Sequence, residues 1–249
     1  MKDLLPKRRP LLLLPVILAA AACQGPRGLA PASSALVPPA DFQEASVQPG
    51  VNDSFNHPDV AQFVERFERE GREVFDKRQE IVDAAGIHAG WEVADVGAGT
   101  GLFEPLLSHA VGTRGKVFAV DISADFLEHI AERARKEHLG NVTTLLATDR
   151  SSSLAPRSID MAFLCDVYHH FEYPQHTLDS IHAALRAGGE MVVIDFDRIE
   201  GQSSPWILKH MRAGKGAFIK EIEAAGFRLV EDKQGLLESS YFLRFRKEG

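Results

Sequence analysis

The chain has few cysteines, no long apolar run and no surplus of positive charge. Two cysteines, Cys23 and Cys165, among 249 residues exclude the disulfide framework of a small secreted domain. The longest apolar run, residues 11–22, is well short of the roughly 20 residues that a bilayer-spanning helix needs. The net charge of −7 lacks the basic footprint of a nucleic-acid binder, so we expect no nucleic-acid partner. The composition fits one soluble domain preceded by a tail.

The first residues have the three parts of an export signal. A basic head with Lys7, Arg8 and Arg9 precedes the apolar run, and the alanines at 19–22 end it. This order predicts a signal peptide over residues 1–22 and a location in the bacterial cell envelope. The paired arginines also resemble a twin-arginine signal, which leaves two export routes open.

Cys23 directly follows the three alanines at 20–22. This arrangement resembles the lipobox of bacterial lipoproteins, whose cysteine is lipidated and becomes the first mature residue. That family usually has leucine at the position of Ala20, and simple cleavage after Ala22 is the alternative. We predict lipidation of Cys23 and therefore a membrane tether, since two or more acyl chains anchor a protein stably.

Residues 23–55 are rich in proline, alanine, serine and glutamine. Such a segment has little apolar surface to bury, so we predict a flexible tether. The folded domain is expected at 56–249, and its first part, about 56–90, has apolar residues at helical spacing that predict an N-terminal helical cap.

Strand and helix patterns alternate after residue 90. The predicted strands are 91–96, 116–121, 142–146, 159–165, 190–196, 227–230 and 241–245. The predicted helices between them are 102–111, 123–139, with Ser123 as its cap, 174–187 and 217–225. This alternation predicts a doubly wound α/β fold with a mostly parallel sheet, in which ligands bind at the carboxyl ends of the strands.

A glycine loop follows the first predicted strand and precedes a helix. Its sequence is DVGAGTG, from Asp95 to Gly101, and Asp121 ends the next strand. Glycines permit a tight turn and a close ligand, and a carboxylate at that place can accept the hydroxyls of a ribose. The spacing G-x-G-x-G differs from the dinucleotide fingerprint, which disfavours a nicotinamide-dependent oxidoreductase.

The ordered set DVGAGTG, VFAVDIS and LRAGGEMVVIDF resembles the class I S-adenosylmethionine-dependent methyltransferases. The resemblance covers roughly residues 60–249. It implies a Rossmann-like, seven-stranded, mostly parallel sheet with the last strand antiparallel. It also implies that S-adenosylmethionine is the cofactor and that these residues bind it: Asp95, Gly97, Gly99, Gly101, Asp121, Ile122, Asp149, Arg150 and Asp166.

The segment DVYHHF, residues 166–171, is the expected place of chemistry, because in this fold it lies beside the transferred methyl group. His169 or His170 would act as a general base, or both would only shape the pocket. We expect no metal. The alternative is a magnesium ion bound by Asp166, Asp195 and Asp197, as in the catechol-type branch of the family. Cys165 is expected to be a small buried hydrophobe.

The acceptor is expected to be a small or lipid-like molecule. Residues proposed to line its site are Trp206, His210, Met211, Arg212 and Lys215, and the alternative is that this segment is a solvated basic helix face. By analogy with the family, the residues proposed for a lid are Arg72, Glu73, Phe75 and Arg78. The predicted function is methyl transfer to this acceptor, and the alternative is a cofactor-binding domain without catalysis. The oligomeric state stays open.

Overall fold

The computed structural model describes residues 45–249. Its centre is one sheet of seven strands in the order β3-β2-β1-β4-β5-β7-β6. β7 pairs antiparallel with both of its neighbours, and every other neighbouring pair is parallel. The doubly wound, Rossmann-like, seven-stranded, mostly parallel sheet with an antiparallel last strand is therefore confirmed.

The elements follow one another as the alternating pattern predicts. The strands are β1 Glu92–Val96, β2 Lys116–Asp121, β3 Val142–Leu146, β4 Ile159–Cys165, β5 Leu185–Phe196, β6 Phe227–Lys233 and β7 Ser240–Lys247. The helices are α1 Val60–Phe67, α2 Glu73–Asp76, α3 Arg78–Ala85, α4 Glu104–Val111, α5 Ala124–Lys136, α6 Pro174–Ala184, α7 Pro205–His210 and α8 Lys215–Ala224. Asp53–Phe55 and Tyr168–His170 are single 3-10 turns.

Two local predictions differ from the structure. α6 ends three residues before its predicted end, because Leu185 already pairs with Ile159 and begins β5. Ser123 precedes α5 at the cap position, but its side chain makes no cap hydrogen bond. The carboxylate of Asp121 accepts from the Ser123 N–H instead, at 2.8 Å.

The core lies on both faces of the sheet. α3 and α4 cover one face with residues such as Ile81 and Leu107. α6 and α8 cover the other face with residues such as Leu178 and Phe218. No helix among residues 45–249 combines the length and the apolar character needed to cross a bilayer.

The folded part begins earlier than its predicted start at residue 56. The Val47 N–H donates to the Glu172 carbonyl at 2.9 Å, and the Asn52 side-chain amide donates to the His170 carbonyl at 3.0 Å. The Phe55 ring lies 5.2 Å from the His170 ring. The stretch 45–55 is thus part of the domain, whereas the signal peptide, Cys23 and the rest of the predicted tether lie outside the described residues.

Arg244 of β7 joins three strands and one helix. Its guanidinium donates to Glu190 of β5, to Glu231 of β6 and to the carbonyls of Ala84 and Ala85 at the end of α3. The side chain is 14% exposed, so these bonds are largely shielded from water. Arg244 therefore holds the cap helix against the antiparallel edge of the sheet.

We predict that Arg244→Ala lowers the free energy of unfolding by about 3 kcal/mol, because it removes the bonds to Glu190 and Glu231 and leaves the carbonyls of Ala84 and Ala85 without this donor. Arg246→Ala is the matched control, since Arg246 is half-exposed and bonds only to Glu190 in the same strand pair. Urea unfolding of the full chain measures both. Equal losses for the two variants would contradict the assigned role of Arg244.

Candidate active site

A cleft opens at the carboxyl ends of the parallel strands. It lies where the chain leaves β1 and β4 in opposite directions, which is the usual ligand position in doubly wound folds. The cleft has two adjoining lobes of about 810 and 1370 Å³. Gly97, Gly99, Asp166 and His170 line both lobes, so the glycine loop and the segment after β4 form the boundary between them.

The glycines of the loop have different roles. Gly97 has a φ of +81°, and a Cβ there would lie 2.2 Å from Cγ2 of Val167. Only glycine permits that contact. Gly99 also lines the cleft, and its N–H donates to Asp121. Gly101, predicted to bind the cofactor, does not line the cleft; a Cβ there would lie 2.9 Å from Ile130, so this glycine lets α5 pack closely.

Asp121 is fixed at the rim of the smaller lobe. Its Oδ2 accepts from the Gly99 N–H and its Oδ1 from the Ser123 N–H, both at 2.8 Å. Burial raises the pKa of this carboxyl, although both N–H groups oppose that shift. Each carboxylate oxygen has a second lone pair, so the side chain still has capacity for two hydroxyl donors.

Ile122 and Asp149 line the same lobe as Asp121, in agreement with their predicted positions. Arg150 does not line it. Its guanidinium lies 3.5 Å from the centroid of the Tyr173 ring, in a cation–π contact. The contact of Arg150 with the cofactor stays a prediction.

Asp95 lies beneath the glycine loop and faces Glu104 of α4. Asp95 is 2% and Glu104 1% exposed. Burial raises the pKa of Asp95 to about 7. Burial, followed by repulsion from Asp95, raises the pKa of Glu104 well above its usual range. The two carboxyl groups thus favour a protonated state that supports the loop from below.

Asp166 follows β4 with a φ of +53°, which is uncommon for a residue other than glycine. Its Oδ2 accepts from the Arg72 guanidinium, and its Oδ1 is buried without a partner. Arg72 is the one residue of the predicted lid that lines the cleft. Glu73 instead accepts from the backbone N–H of Ser239. The other two lid residues, Phe75 and Arg78, form a cation–π contact with each other and do not line the cleft.

A chain of hydrogen bonds crosses the larger lobe. The buried Asp195 carboxylate accepts from Nδ1 of His169 at 2.7 Å. Nε2 of His169 lies 2.9 Å from Nε2 of His210. The His210 ring stacks on Trp206, with 4.4 Å between the ring centroids. His169 is only 1% exposed, so His210 is the end of this chain that faces the cleft.

The histidines differ in charge preference. Burial lowers the pKa of His169, but the Asp195 carboxylate outweighs it and the net shift is upward. Burial and the neighbouring imidazoles lower the pKa of His170 to about 2. Both ring nitrogens of His169 lie within hydrogen-bond distance of a partner, and His170 is a poor proton acceptor. A general-base role of either histidine stays a prediction.

The predicted acceptor residues separate into two groups. Trp206 and His210 line the cleft. The other three point elsewhere: Met211 is buried in the core, Arg212 pairs with Glu221, and Lys215 pairs with Asp232. The sequence analysis missed several lining residues, among them Asn52, Phe55, Arg66, Phe67 and Phe196.

The alternative magnesium site does not form from carboxylates. Asp166 pairs with Arg72, and Asp195 with His169. Across residues 45–249, the one group of three or more metal-binding side chains whose donor atoms converge is His169, His170 and His210. Cys165 is a free thiol among core residues, as expected, and burial raises its pKa.

Comparison with known proteins agrees with this geometry. Residues 94–191 match the profile of a family described as a methyltransferase domain. The ubiquinone/menaquinone biosynthesis C-methyltransferase UbiE of Haemophilus ducreyi is 26% identical over 118 residues, which are 47% of this chain and 46% of that protein. The alignment thus spans about half the length of this curated relative.

Solved structures share the fold. A SAM-dependent methyltransferase from Aquifex aeolicus has a TM-score of 0.67 at 23% identity and covers 77% of this chain and 100% of its own. The 4+2 cyclase SpnF has a TM-score of 0.60 at 18% identity, covering 73% of this chain and 85% of its own. The matched domain implies S-adenosylmethionine as the cofactor. The fold alone does not define the reaction, which depends on the residues of the site.

We predict that Glu104→Gln changes how stability depends on pH. A carboxyl whose pKa is raised on folding stabilises the protein at low pH, and that contribution is lost as the pH rises from about 4.5 through the folded pKa. The Asp95 carboxylate repels Glu104, and Asp121 repels Asp95 in turn. The Arg133 guanidinium opposes the repulsion at Glu104. Between pH 5 and pH 8 the free energy of unfolding of the wild type should therefore fall relative to that of the variant, by up to about 1.4 kcal/mol per pH unit.

Urea unfolding at several pH values measures this difference. Glu128→Gln on the exposed side of α5 is the matched control and should follow the wild type. Parallel profiles for Glu104→Gln and the wild type would show that the buried pair has no linkage to pH.

Proposed function

We propose that this protein transfers a methyl group from S-adenosylmethionine to a small-molecule acceptor. One observation carries the proposal. The cleft has two lobes, one beside Asp121 and one beside His210, and they meet at the glycine loop and Asp166. A transfer between two small molecules needs such a shared boundary, because the reacting atoms have to lie about 3 Å apart.

The residues of the smaller lobe fit the cofactor. Asp121 has a preset carboxylate with free lone pairs for the ribose hydroxyls. Gly97 and Gly99 expose the loop backbone to the lobe, and Ile122 and Asp149 line its far side for the adenine. The buried, unpaired Oδ1 of Asp166 offers an acceptor for an ammonium group at the boundary. Bound there, the cofactor supplies an electrophilic methyl group on a sulfonium.

The larger lobe has the chemistry for an aromatic or apolar acceptor with an anionic group. Phe67, Phe196 and Trp206 form apolar walls, and Arg66 and Arg69 add positive charge. A flat apolar acceptor has little hydration to lose when it enters between such rings, and it gains contact area with them. The likeness to a C-methyltransferase over half its length is consistent with such an acceptor, without defining the atom that receives the methyl group.

The chain's own residues contribute mainly position and exclusion of water. The 3-10 turn at Tyr168–His170 holds His170 at the boundary, and the Phe55 ring covers it from the N-terminal side. Arg72 and Asp166 neutralise each other and fix the loop. This arrangement suits an acceptor that approaches in line with the transferred methyl.

Export is the second part of the proposal. The signal peptide over residues 1–22 and the lipidated Cys23 would place the domain at the cell envelope on a membrane tether. Support comes from the basic head, the short apolar run and the small residues before Cys23. A tether would also bring a lipid-like acceptor near the cleft.

We predict that Asp121→Ala weakens binding of S-adenosylmethionine at least tenfold, because a hydrogen bond to a charged group contributes about 1.5–3 kcal/mol. Asp121→Asn, which keeps one acceptor oxygen, should lose less. Isothermal calorimetry with S-adenosylmethionine and with S-adenosylhomocysteine measures the binding of both variants. Asp179→Ala, on the exposed side of α6, is the control. Unchanged binding by Asp121→Ala, or none by the wild type, would refute the cofactor assignment.

Turnover is tested by formation of S-adenosylhomocysteine with a panel of aromatic and quinone-like acceptors. A protein that binds the cofactor tightly but forms no methylated product would be a binding domain or would catalyse another reaction on the same fold.

We predict that Cys23→Ser abolishes incorporation of a clickable fatty acid and moves the protein from the membrane fraction to the soluble fraction of the envelope. Labelling in a bacterial host, followed by fractionation, measures both. Retained labelling in Cys23→Ser would exclude this cysteine as the acylation site.

A further inference from the structure

We propose that His169, His170 and His210 bind one divalent transition-metal ion of the zinc class. The three imidazoles come from two separate elements, the 3-10 turn after β4 and the end of α7. One ring nitrogen of each lies within 4.8 Å of the others. Three histidines with one open position is a recurrent ligand set of functional zinc sites.

The spacing is close to what such an ion needs. The ring centroids of His169 and His170 are 4.2 Å apart, and those of His169 and His210 are 4.7 Å apart. The two Nε2 atoms of His169 and His210 lie 2.9 Å apart. Zinc–nitrogen bonds of about 2.0–2.1 Å place ligand nitrogens about 3.3 Å apart in a tetrahedron, so these two rings need to separate only slightly.

Asp195 supplies the support that a metal-binding histidine usually has. Its carboxylate accepts from Nδ1 of His169 at 2.7 Å and also from the His169 backbone N–H. A proton held on Nδ1 leaves Nε2 of His169 as a lone-pair donor that points toward His210. A carboxylate behind the imidazole orients the ring and raises its strength as a ligand.

A simple hydrogen-bond chain explains less of the cluster. It accounts for Asp195, His169 and His210, but it leaves Nδ1 of His170 buried without a partner. A buried nitrogen without a hydrogen bond is costly, and one ion between the three rings gives all of them a partner. Soft or borderline ions suit imidazole ligands, whereas Mg²⁺ prefers oxygen.

The fourth coordination position would face the larger lobe, because His170 and His210 line that lobe and Asp195 lies behind His169. An anionic oxygen or sulfur atom of a small molecule would bind there, beside Phe196 and Trp206. This identification of the fourth ligand rests on the proposed function, whereas the metal site itself does not.

The test uses the full chain purified without a polyhistidine tag. Equilibrium dialysis against ZnCl₂ should give one tightly bound zinc per chain, and CoCl₂ should give the visible absorption of four-coordinate cobalt. His210→Ala and His170→Gln should each lose at least tenfold in zinc affinity and lose the cobalt spectrum. His109→Ala, an exposed histidine at the end of α4, is the matched control and should behave as the wild type.

Asp195→Asn tests the supporting carboxylate. Loss of such a partner typically weakens metal binding about 10–100-fold, so we expect a weaker but still saturable site with a shifted cobalt spectrum. Thermal unfolding of each variant shows whether it is folded. If a substitution at a buried residue prevents folding, His210→Ala still provides the test, because His210 is only partly buried.

Failure of this proposal is separate from failure of the proposed function. Zinc bound equally by the wild type and His210→Ala, or by neither, would leave only the hydrogen-bond chain and overturn the metal site. Calorimetry with S-adenosylmethionine on the same samples reports the cofactor site independently, so zinc binding without cofactor binding would keep the metal site and defeat the methyltransferase proposal.

Discussion

The contact between Val167 and Gly97 is the constraint on which the site depends. The loop after β4 passes so close to the glycine loop after β1 that a Cβ at position 97 would overlap with the valine. In the same segment Asp166 has a positive φ, and Tyr168–His170 form a 3-10 turn whose two histidines line the cleft. One absent side chain therefore permits both lobes to share a boundary, and larger residues at 97 would separate them.

The polar groups beneath this contact carry an energetic cost. Asp95, Glu104, Asp166 and Asp195 are all shielded from water, yet they stand within one small region at the strand ends. Such a collection of carboxyls opposes folding unless cations, backbone N–H groups or protons compensate it. Arg72 and His169 compensate two of them directly. Stability is given up in this region, which is typical of a functional site.

Much of the fold was predictable because it follows from local patterns. The seven strands have short apolar runs bounded by glycines and acidic residues, and right-handed crossovers between parallel strands produce a doubly wound sheet. The antiparallel last strand was expected only from the family resemblance. Asp121 was predictable for the same reason, since it directly ends a strand. Gly101 and Arg150 do not line the cleft, so their contact with the cofactor stays a prediction. Sequence position places Gly101 in the loop, but the approach of Ile130 determines its role, and Tyr173, which holds Arg150, is distant in sequence.

The larger lobe was less predictable because distant segments build it. Phe55 comes from the stretch assigned to the tether, where little apolar sequence signals a fold. Phe67 belongs to the predicted helical cap, and its spacing alone does not show that its ring lines a cleft. The pairing of His169 with Asp195 and His210 joins residues 26 and 41 positions apart. No local pattern encodes such pairs.

This difference between the lobes has a consequence for how the fold acquires new chemistry. The smaller lobe takes much of its lining from the glycine loop and the ends of β1 and β2, so changes there disturb the sheet itself. The larger lobe shares the glycine loop, but it also has side chains from α1, the turn after β4, β5 and α7, and these can change while the sheet stays intact. One fold carries different reactions through changes of this kind. Under the proposed function, we expect specificity to lie in the aromatic walls and the three histidines, whereas the glycine loop and Asp121 hold the cofactor.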